Sequence, residues 1–137
     1  MKYILDTNII IRFLANDHEE HSLAAYRLFE KVTRGQYSLI LDHVVIAECV
    51  HVLKGKSYQL ARDEIANLLI KLIEFTEVEA DNKDTMIMAL RYYSAYNVDY
   101  PDAYLASLAE QQRLSVITFN NKDFNTMGTN NIKPSEL

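Results

Sequence analysis

Lys2-Tyr3-Ile4-Leu5-Asp6-Thr7-Asn8-Ile9-Ile10-Ile11-Arg12-Phe13-Leu14 reads as a strand, an acid and a helix in immediate succession. Tyr3-Ile4-Leu5 is a short run of aromatic and aliphatic side chains of the kind that fills a buried strand. Asp6 stands where the helix begins, and Asp is a preferred N-cap because its carboxylate accepts an orphan amide hydrogen of the first turn. Ile9, Ile10 and Ile11 then carry the chain into a helix through about Ala15. A strand that runs straight into a helix is the first half of a βα unit, and the question is whether the rest of the chain repeats it.

It does, with one helical interruption. Asn16 to Glu19 form a turn with capping residues, in which Asp17, Glu19 and Glu20 read as a solvated helix start. Glu20 to Thr33 is an amphipathic helix with Leu23, Tyr26, Leu28 and Phe29 as its apolar residues, stopped by Gly35. Ser38 to Leu41 is a buried strand, His43 to Leu53 a helix ending near Gly55, and Tyr58 to Phe75 a second long helix. Thr76 to Glu79 is a candidate strand, and Asp81 with Asp84 resembles a cap for a helix to Asn97. Asp99-Tyr100-Pro101-Asp102 opens the next helix, with proline in the first turn where its missing N–H costs little. Ser115 to Thr118 is a further strand, a loop with Asn120, Asn121 and Asp123 follows, and Ile132-Lys133 is a last edge strand. Strands separated by helices predict an α/β fold with a mainly parallel sheet covered on both faces. Residues 1–137 are expected to form a single domain, without repeats, low-complexity tracts or linkers.

Composition narrows the class. Apolar residues at 49% and charged residues at 24% lie near globular averages, which excludes a disordered chain. The longest apolar runs fall far short of the ~20 residues that a bilayer demands, so no membrane span is expected. The N-terminus lacks the shape of a signal peptide. The lone Cys49, with no partner for an intrachain disulfide, suits a reducing cytoplasm and reads as a buried, inert thiol. A net charge of −5 has the wrong sign for a simple nucleic-acid-binding module. An acidic chain can still act on nucleic acid where cations bridge its carboxylates to phosphate, or where a dimer mate adds basic residues such as Arg12, Lys54 and Lys56.

Three acids stand out because each is attached to an apolar element. Asp6 follows the first strand, Glu48 interrupts Val44-Val45-Ile46-Ala47, and Asp102 precedes Ala103-Tyr104-Leu105-Ala106. Glu48 falls, at about 100° per residue, inside an arc formed by Val44, Val45, Val52 and Leu53. Desolvated carboxylates need a partner or a cation, and without an obvious Lys or Arg the expectation is a divalent metal. In parallel sheets, ligands gather beyond the carboxyl ends of the strands, where Asp6 and the loop after Thr118 would lie. Each acid also has a structural explanation. Asp6 would serve as an N-cap, Asp102 as a negative charge near N3 suited to the helix dipole, and Glu48 as an edge carboxylate paired with a distant cation.

Other patterns carry less. Glu48-Cys49-Val50-His51 has the Glu-x-x-His form of di-iron bundles, but those need a second copy and none occurs. His18, His21 and His43 show no ligand spacing with a cysteine. Glycine occurs only at 35, 55 and 128, so no phosphate-binding glycine loop exists, and no nucleophile elbow is present. Tyr92, Tyr93 and Tyr96 read as core or dimer contacts, with base stacking as the lesser alternative.

Asp6-Thr7-Asn8-Ile9-Ile10-Ile11-Arg12-Phe13-Leu14 resembles the opening of PIN-domain nucleases, particularly toxins of the VapBC type. Ile46-Ala47-Glu48, Asp99-Tyr100-Pro101-Asp102-Ala103 and Thr118-Phe119-Asn120-Asn121-Lys122-Asp123-Phe124 follow in that family's order. The resemblance implies a three-layer α/β/α sandwich with a mainly parallel sheet and an endoribonuclease dependent on Mg²⁺ or Mn²⁺. Asp6, Glu48 and Asp102 match the acids of the family's metal site and are thereby implied to be catalytic. A fourth acid often falls where this chain has Asn120, so either Asp123 substitutes for it or Asn120 serves as a neutral ligand or orients a water. Thr7, Asn8, Thr118 and Asn120 suit a supporting hydrogen-bonding role, and Arg12 a contact to carboxylate or phosphate. Hydrolysis by a metal-activated water would leave a 5′-phosphate and a 3′-hydroxyl.

The resemblance further implies a small antitoxin as partner, covering the site with a helix laid in an apolar groove. Phe13, Leu14, Tyr26, Val50 and Leu53 are the expected apolar surface, and a homodimer is expected. A rival reading is a phospho-receiver signalling domain, for which Asp6, Asp42, Thr118 and Lys133-Pro134 mimic the required set. Against it, two long helices run between the second and third strands, and only one acid ends the first. A third reading is a catalytically silent scaffold of the same fold.

Overall fold

The computed structural model describes all 137 residues. The chain divides into two compact units, Met1–Lys83 and Asp84–Leu137. In the first, β1 (Lys2–Ile4), β2 (Ser38–Ile40) and β3 (Val78–Glu79) form a parallel sheet in the order β1-β2-β3. Tyr3 pairs with Leu39, and Leu39 with Val78. Helices α1 (Thr7–Ala15) and α2 (Glu19–Thr33) connect the first two strands; α3 (His43–Lys54) and α4 (Arg62–Ile73) connect the next two. Parallel neighbours require such crossovers, since a tight hairpin can join only antiparallel strands. The α/β class with parallel strands therefore stands as the sequence predicts.

The core of this unit comes from one stripe of each helix. Ile10 and Ile11 of α1, Phe29 and Val32 of α2, Ile46, Cys49, Val50 and Leu53 of α3, and Ile65, Leu69, Leu72 and Ile73 of α4 are all buried, as are Leu39, Leu41 and Val78. On α3 the buried positions repeat at i, i+3, i+4 and i+7, a single helical face. That face differs from the arc expected around Glu48. Val44 is 60% exposed and Glu48 is also exposed. Because α3 is apolar almost all round, periodicity did not single out its inner stripe. The same applies to α2, where Leu23 and Tyr26 face solvent while Ser22 and Ala25 are buried.

Local chemistry sets the boundaries. Gly35 ends α2 with φ +77°, and its N–H donates to the Val32 carbonyl at 2.9 Å. α4 begins at Arg62 rather than near Tyr58. The preceding residues instead make a tight turn in which the Gly55 carbonyl accepts from Tyr58 N at 3.3 Å and Gln59 N at 2.8 Å, with Gln59 left-handed at φ +51°. Asp42 caps α3, accepting from Val44 N at 2.9 Å.

The second unit holds α5 (Lys83–Ala95, entering from the last residue of the first unit), α6 (Tyr100–Gln112), β4 (Val116–Ile117), α7 (Asn121–Thr126) and β5 (Asn131–Ile132). β4 and β5 pair in parallel. Leu90, Tyr93, Ala103, Ala106 and Phe124 are buried here. The stretch read as a loop at Asn120–Asp123 is the start of α7, and the last strand sits one residue earlier than expected. A 3₁₀ turn at Pro134–Glu136 follows. No helix is long and apolar enough to cross a membrane.

Candidate active site

In the first unit, β1 and β2 run side by side to Leu5, whose N–H donates to the Ile40 carbonyl at 2.9 Å. The chain then turns into α1, and Asp6 caps it by accepting from Thr7 N at 2.9 Å. The capping role and a place in a site coexist. Asp6, Thr7, Asn8, Arg12, Glu48 and Tyr58 line one cavity of about 250 Å³, closed on its apolar side by Ile11 and Val52. Glu48 reaches it from the second turn of α3 because the exposed face of that helix, not the buried one, borders the cavity. The expectation that these acids are desolvated is thus corrected: Asp6 and Glu48 are exposed and Asp102 is half-buried.

Two buried groups register the cavity's character. Cys49 is fully buried, and its thiol is pushed up to about 12, first by burial and then by the negative charges of Glu48 and Asp6. Thr7 is 4% exposed, and its Oγ1 has no hydrogen-bond partner. Such an orphaned hydroxyl is rare in native interiors and calls for a water or ligand oxygen.

Arg12, expected to contact a carboxylate or a phosphate, meets the carboxylate of Asp17. Its guanidinium donates to Asp17 Oδ1 at 3.0 Å, while Tyr58 Oη donates to Asp17 Oδ2 at 2.6 Å. The hydrogen bond from Tyr58, followed by that from Arg12, lowers the Asp17 carboxyl below its ordinary value. Reciprocally, the bond to Asp17 raises the Tyr58 phenol. Asp17 is thus not a free helix-start charge, and Tyr58 lines the cavity with Asp6 and Glu48, a place the sequence does not mark.

In the second unit, Asp102 is the third residue of α6, just after Pro101. Its Oδ2 accepts from Asn120 Nδ2 at 3.1 Å, and the same nitrogen donates to Asp123 Oδ2 at 2.8 Å. One amide group with two hydrogens thereby bridges two carboxylates. Asn120 is held in turn, its backbone N–H donating to Thr118 Oγ1 at 2.9 Å. Below it, Asn121 Nδ2 donates to Asn131 Oδ1 at 2.7 Å and Asn131 Nδ2 to Asn125 Oδ1 at 2.8 Å, tying α7 to β5.

The polar groups thus come as two sets, Asp6 with Glu48 and Asp102 with Asp123. No group of three or more His, Cys, Asp or Glu side chains is arranged to hold a metal ion. By donor chemistry both sets suit a hard divalent cation, since they are carboxylates with hydroxyl and amide neighbours and contain no accessible sulfur or imidazole. The Asn120 amide lies between the Asp102 and Asp123 carboxylates and donates to both.

This is an α/β chain with parallel strands, an acid at the end of its first strand and further carboxylates at the starts of α6 and α7. The PIN-domain family model matches residues 3–129, and the chain belongs to that family. A solved structure, that of VapBC2 from Rickettsia felis bound to a DNA fragment from their promoter, matches at 18% identity and a TM-score of 0.40, covering 97% of this chain and 98% of that one. No curated protein matches.

Proposed function

We propose that this PIN-domain protein is an endoribonuclease dependent on Mg²⁺ or Mn²⁺, and the toxin of a toxin–antitoxin pair of the VapBC type. The observation that carries the reading is the pair of carboxylate sets, Asp6 with Glu48 around one cavity and Asp102 with Asp123 around one amide, in a chain of this family. Asp6, Glu48 and Asp102 are the proposed catalytic carboxylates and metal ligands, with Asp123 as the further ligand in place of the family's usual acid. When bound, the ion supplies a Lewis acid that offsets phosphate charge and acidifies the attacking water.

The side chains divide the remaining work. Asn120 holds the Asp102 and Asp123 carboxylates in one orientation, and Thr118 holds Asn120. Thr7 and Asn8 offer a hydroxyl and an amide to water or a phosphate oxygen in the cavity beside Asp6 and Glu48. Arg12 contributes positive charge for the substrate strand. Hydrolysis leaves a 5′-phosphate and a 3′-hydroxyl.

The antitoxin partner, the homodimer and a cytoplasmic location rest on the motif resemblance. Of the apolar residues expected to seat an antitoxin helix, Val50 and Leu53 belong to the core, at 1% and 0% exposed. A larger groove of about 600 Å³ runs from Asp6 past Ile4, Ile9, Leu28 and Tyr37, with Arg27 and Lys31 among its lining, and is the surface better suited to such a helix. The receiver reading fits neither the two helices that run between β2 and β3 nor the family match.

The test is RNA cleavage by purified protein. Asp6→Asn, Glu48→Gln and Asp102→Asn are each expected to abolish Mg²⁺-dependent cleavage while circular dichroism stays native, and Asp42→Asn to leave cleavage near wild type. Wild-type rates in any one of the three acid variants at saturating Mg²⁺ remove that residue from the site.

A further inference from the structure

Arg12 belongs to a cluster with Asp17 and Tyr58, two residues to which the proposed chemistry gives no part. Arg12 lies in the last turn of α1, Asp17 in the turn that follows, and Tyr58 in the α3–α4 connection, 41 residues on from Asp17. Each oxygen of the Asp17 carboxylate takes one of the other two side chains. As a device for stability the arrangement is weak, because exposed ion pairs contribute little. As a device for position it is effective. An arginine carries large rotamer entropy, and fixing it before a ligand arrives removes that cost from binding.

We propose, resting on the ribonuclease reading above, that Asp17 fixes Arg12 and Tyr58 in the cavity wall as a subsite for the RNA strand beside the scissile bond, the guanidinium taking a backbone phosphate and the phenol ring a neighbouring base. Arg12 is the only cationic side chain lining the cavity that also holds Asp6 and Glu48. A polyanion entering a chain of net charge −5 needs a cation there. Asp17 engages one guanidinium nitrogen and leaves the remaining N–H donors for a phosphate. Tyr58 is half-buried and anchored at both ends, by its hydroxyl on Asp17 and by its backbone on the Gly55 carbonyl. A ring so fixed in the cavity lining suits stacking on a base, which is tolerant of base identity. Asp17 is therefore a positioning residue, and Arg12 and Tyr58 are the contacts.

The experiment measures fluorescence anisotropy of a labelled single-stranded oligoribonucleotide with the full chain in Ca²⁺, together with ultraviolet titration of tyrosinate. Asp17→Asn and Tyr58→Phe are each expected to weaken binding roughly three- to tenfold, the scale of one ordinary net hydrogen bond. Tyr58→Phe keeps shape and packing, so folding is not at issue. The double variant Asp17→Asn with Arg12→Ala is expected to bind within about twofold of Arg12→Ala alone, because the two residues act as one unit. In the titration, the phenol absent from Tyr58→Phe should ionise at lower pH once Asp17 is Asn. Unchanged affinity in both single variants, or an unmoved phenol, overturns the subsite, and cleavage by the wild type in Mg²⁺ then shows that the nuclease reading survives it. Binding that follows the expected pattern without cleavage in Mg²⁺ or Mn²⁺ upholds the subsite and removes the nuclease reading. A wild type that neither binds nor cleaves the strand overturns both.

Discussion

Asn120→Asp is the perturbation that most directly tests the bridge between Asp102 and Asp123. The native amide donates one hydrogen to each carboxylate, at 3.1 and 2.8 Å. Its replacement keeps size and shape but puts a third negative charge about 3 Å from two others. Asn120 is exposed and both acids are half-buried, so the dielectric of water is the appropriate limit. There each pair at that distance costs about 1.4 kcal/mol. Two pairs give about 3 kcal/mol, reduced to roughly 2–3 kcal/mol as the side chains splay apart and salt screens them. For a chain of this length about 4 °C accompanies each kcal/mol, so the melting temperature in EDTA at neutral pH should fall by roughly 8–12 °C.

Two conditions separate electrostatics from simple misfit. The two neighbouring acids make the folded state bind a proton at the new carboxylate more tightly than the unfolded state does. The penalty is therefore small below about pH 4 and develops as pH rises through the carboxylate range. Millimolar Mg²⁺ or Mn²⁺, binding the folded state alone, should recover most of the loss and raise the variant's melting temperature by more than it raises the wild type's. Differential scanning calorimetry at acidic and neutral pH, with and without metal, reads all of this. A variant that melts like the wild type in EDTA at neutral pH refutes the bridge. A deficit of equal size at acidic pH refutes its electrostatic origin.

Three further outcomes follow from the same geometry. Ile46→Ala should cost about 2–5 kcal/mol by urea melts, since Ile46 is fully buried, whereas Val44→Ala, on the exposed face, should cost well under 1 kcal/mol. Cys49 should resist iodoacetamide at neutral pH in the native protein and react at once in urea, because burial and the Glu48 and Asp6 charges keep the thiol protonated up to about 12; fast native alkylation counted by mass spectrometry would contradict the burial. Mg²⁺ should raise the melting temperature of the wild type by more than that of Asp6→Asn, and an equal rise in both would place the ion elsewhere.

The β-α alternation was legible because strands and helices here differ in period and are punctuated by few glycines. Helix ends were less so where the stop is not a residue type but a hydrogen-bonding arrangement. Nothing about Lys56-Ser57-Tyr58-Gln59 reads as a break, yet Gln59 adopts φ +51° and Leu60 N reaches back to the Leu53 carbonyl at 3.0 Å, delaying α4 to Arg62. Asn120 to Asp123 read as a loop because its polar residues suit one, and a six-residue helix leaves too short a pattern for periodicity to register.

The acids show how a candidate site can be marked in a sequence for a reason the structure does not share. Glu48 drew notice as a carboxylate trapped in an apolar arc, but α3 turns its Ile46-Cys49-Val50-Leu53 stripe inward and leaves Glu48 exposed at a cavity with Asp6. What the sequence held was the spacing of the acids relative to strand and helix starts, and that survives the change of face. What it could not hold was Tyr58. A tyrosine in a connection acquires a role through Asp17, whose own neighbours in sequence, Asn16 and His18, suggest only a solvated turn. Contacts between loops far apart in the chain leave no periodic trace, because neither loop has a period to disturb. Such residues are found only by following a hydrogen bond, and here that path runs from Arg12, which the motif did mark, through Asp17 to Tyr58.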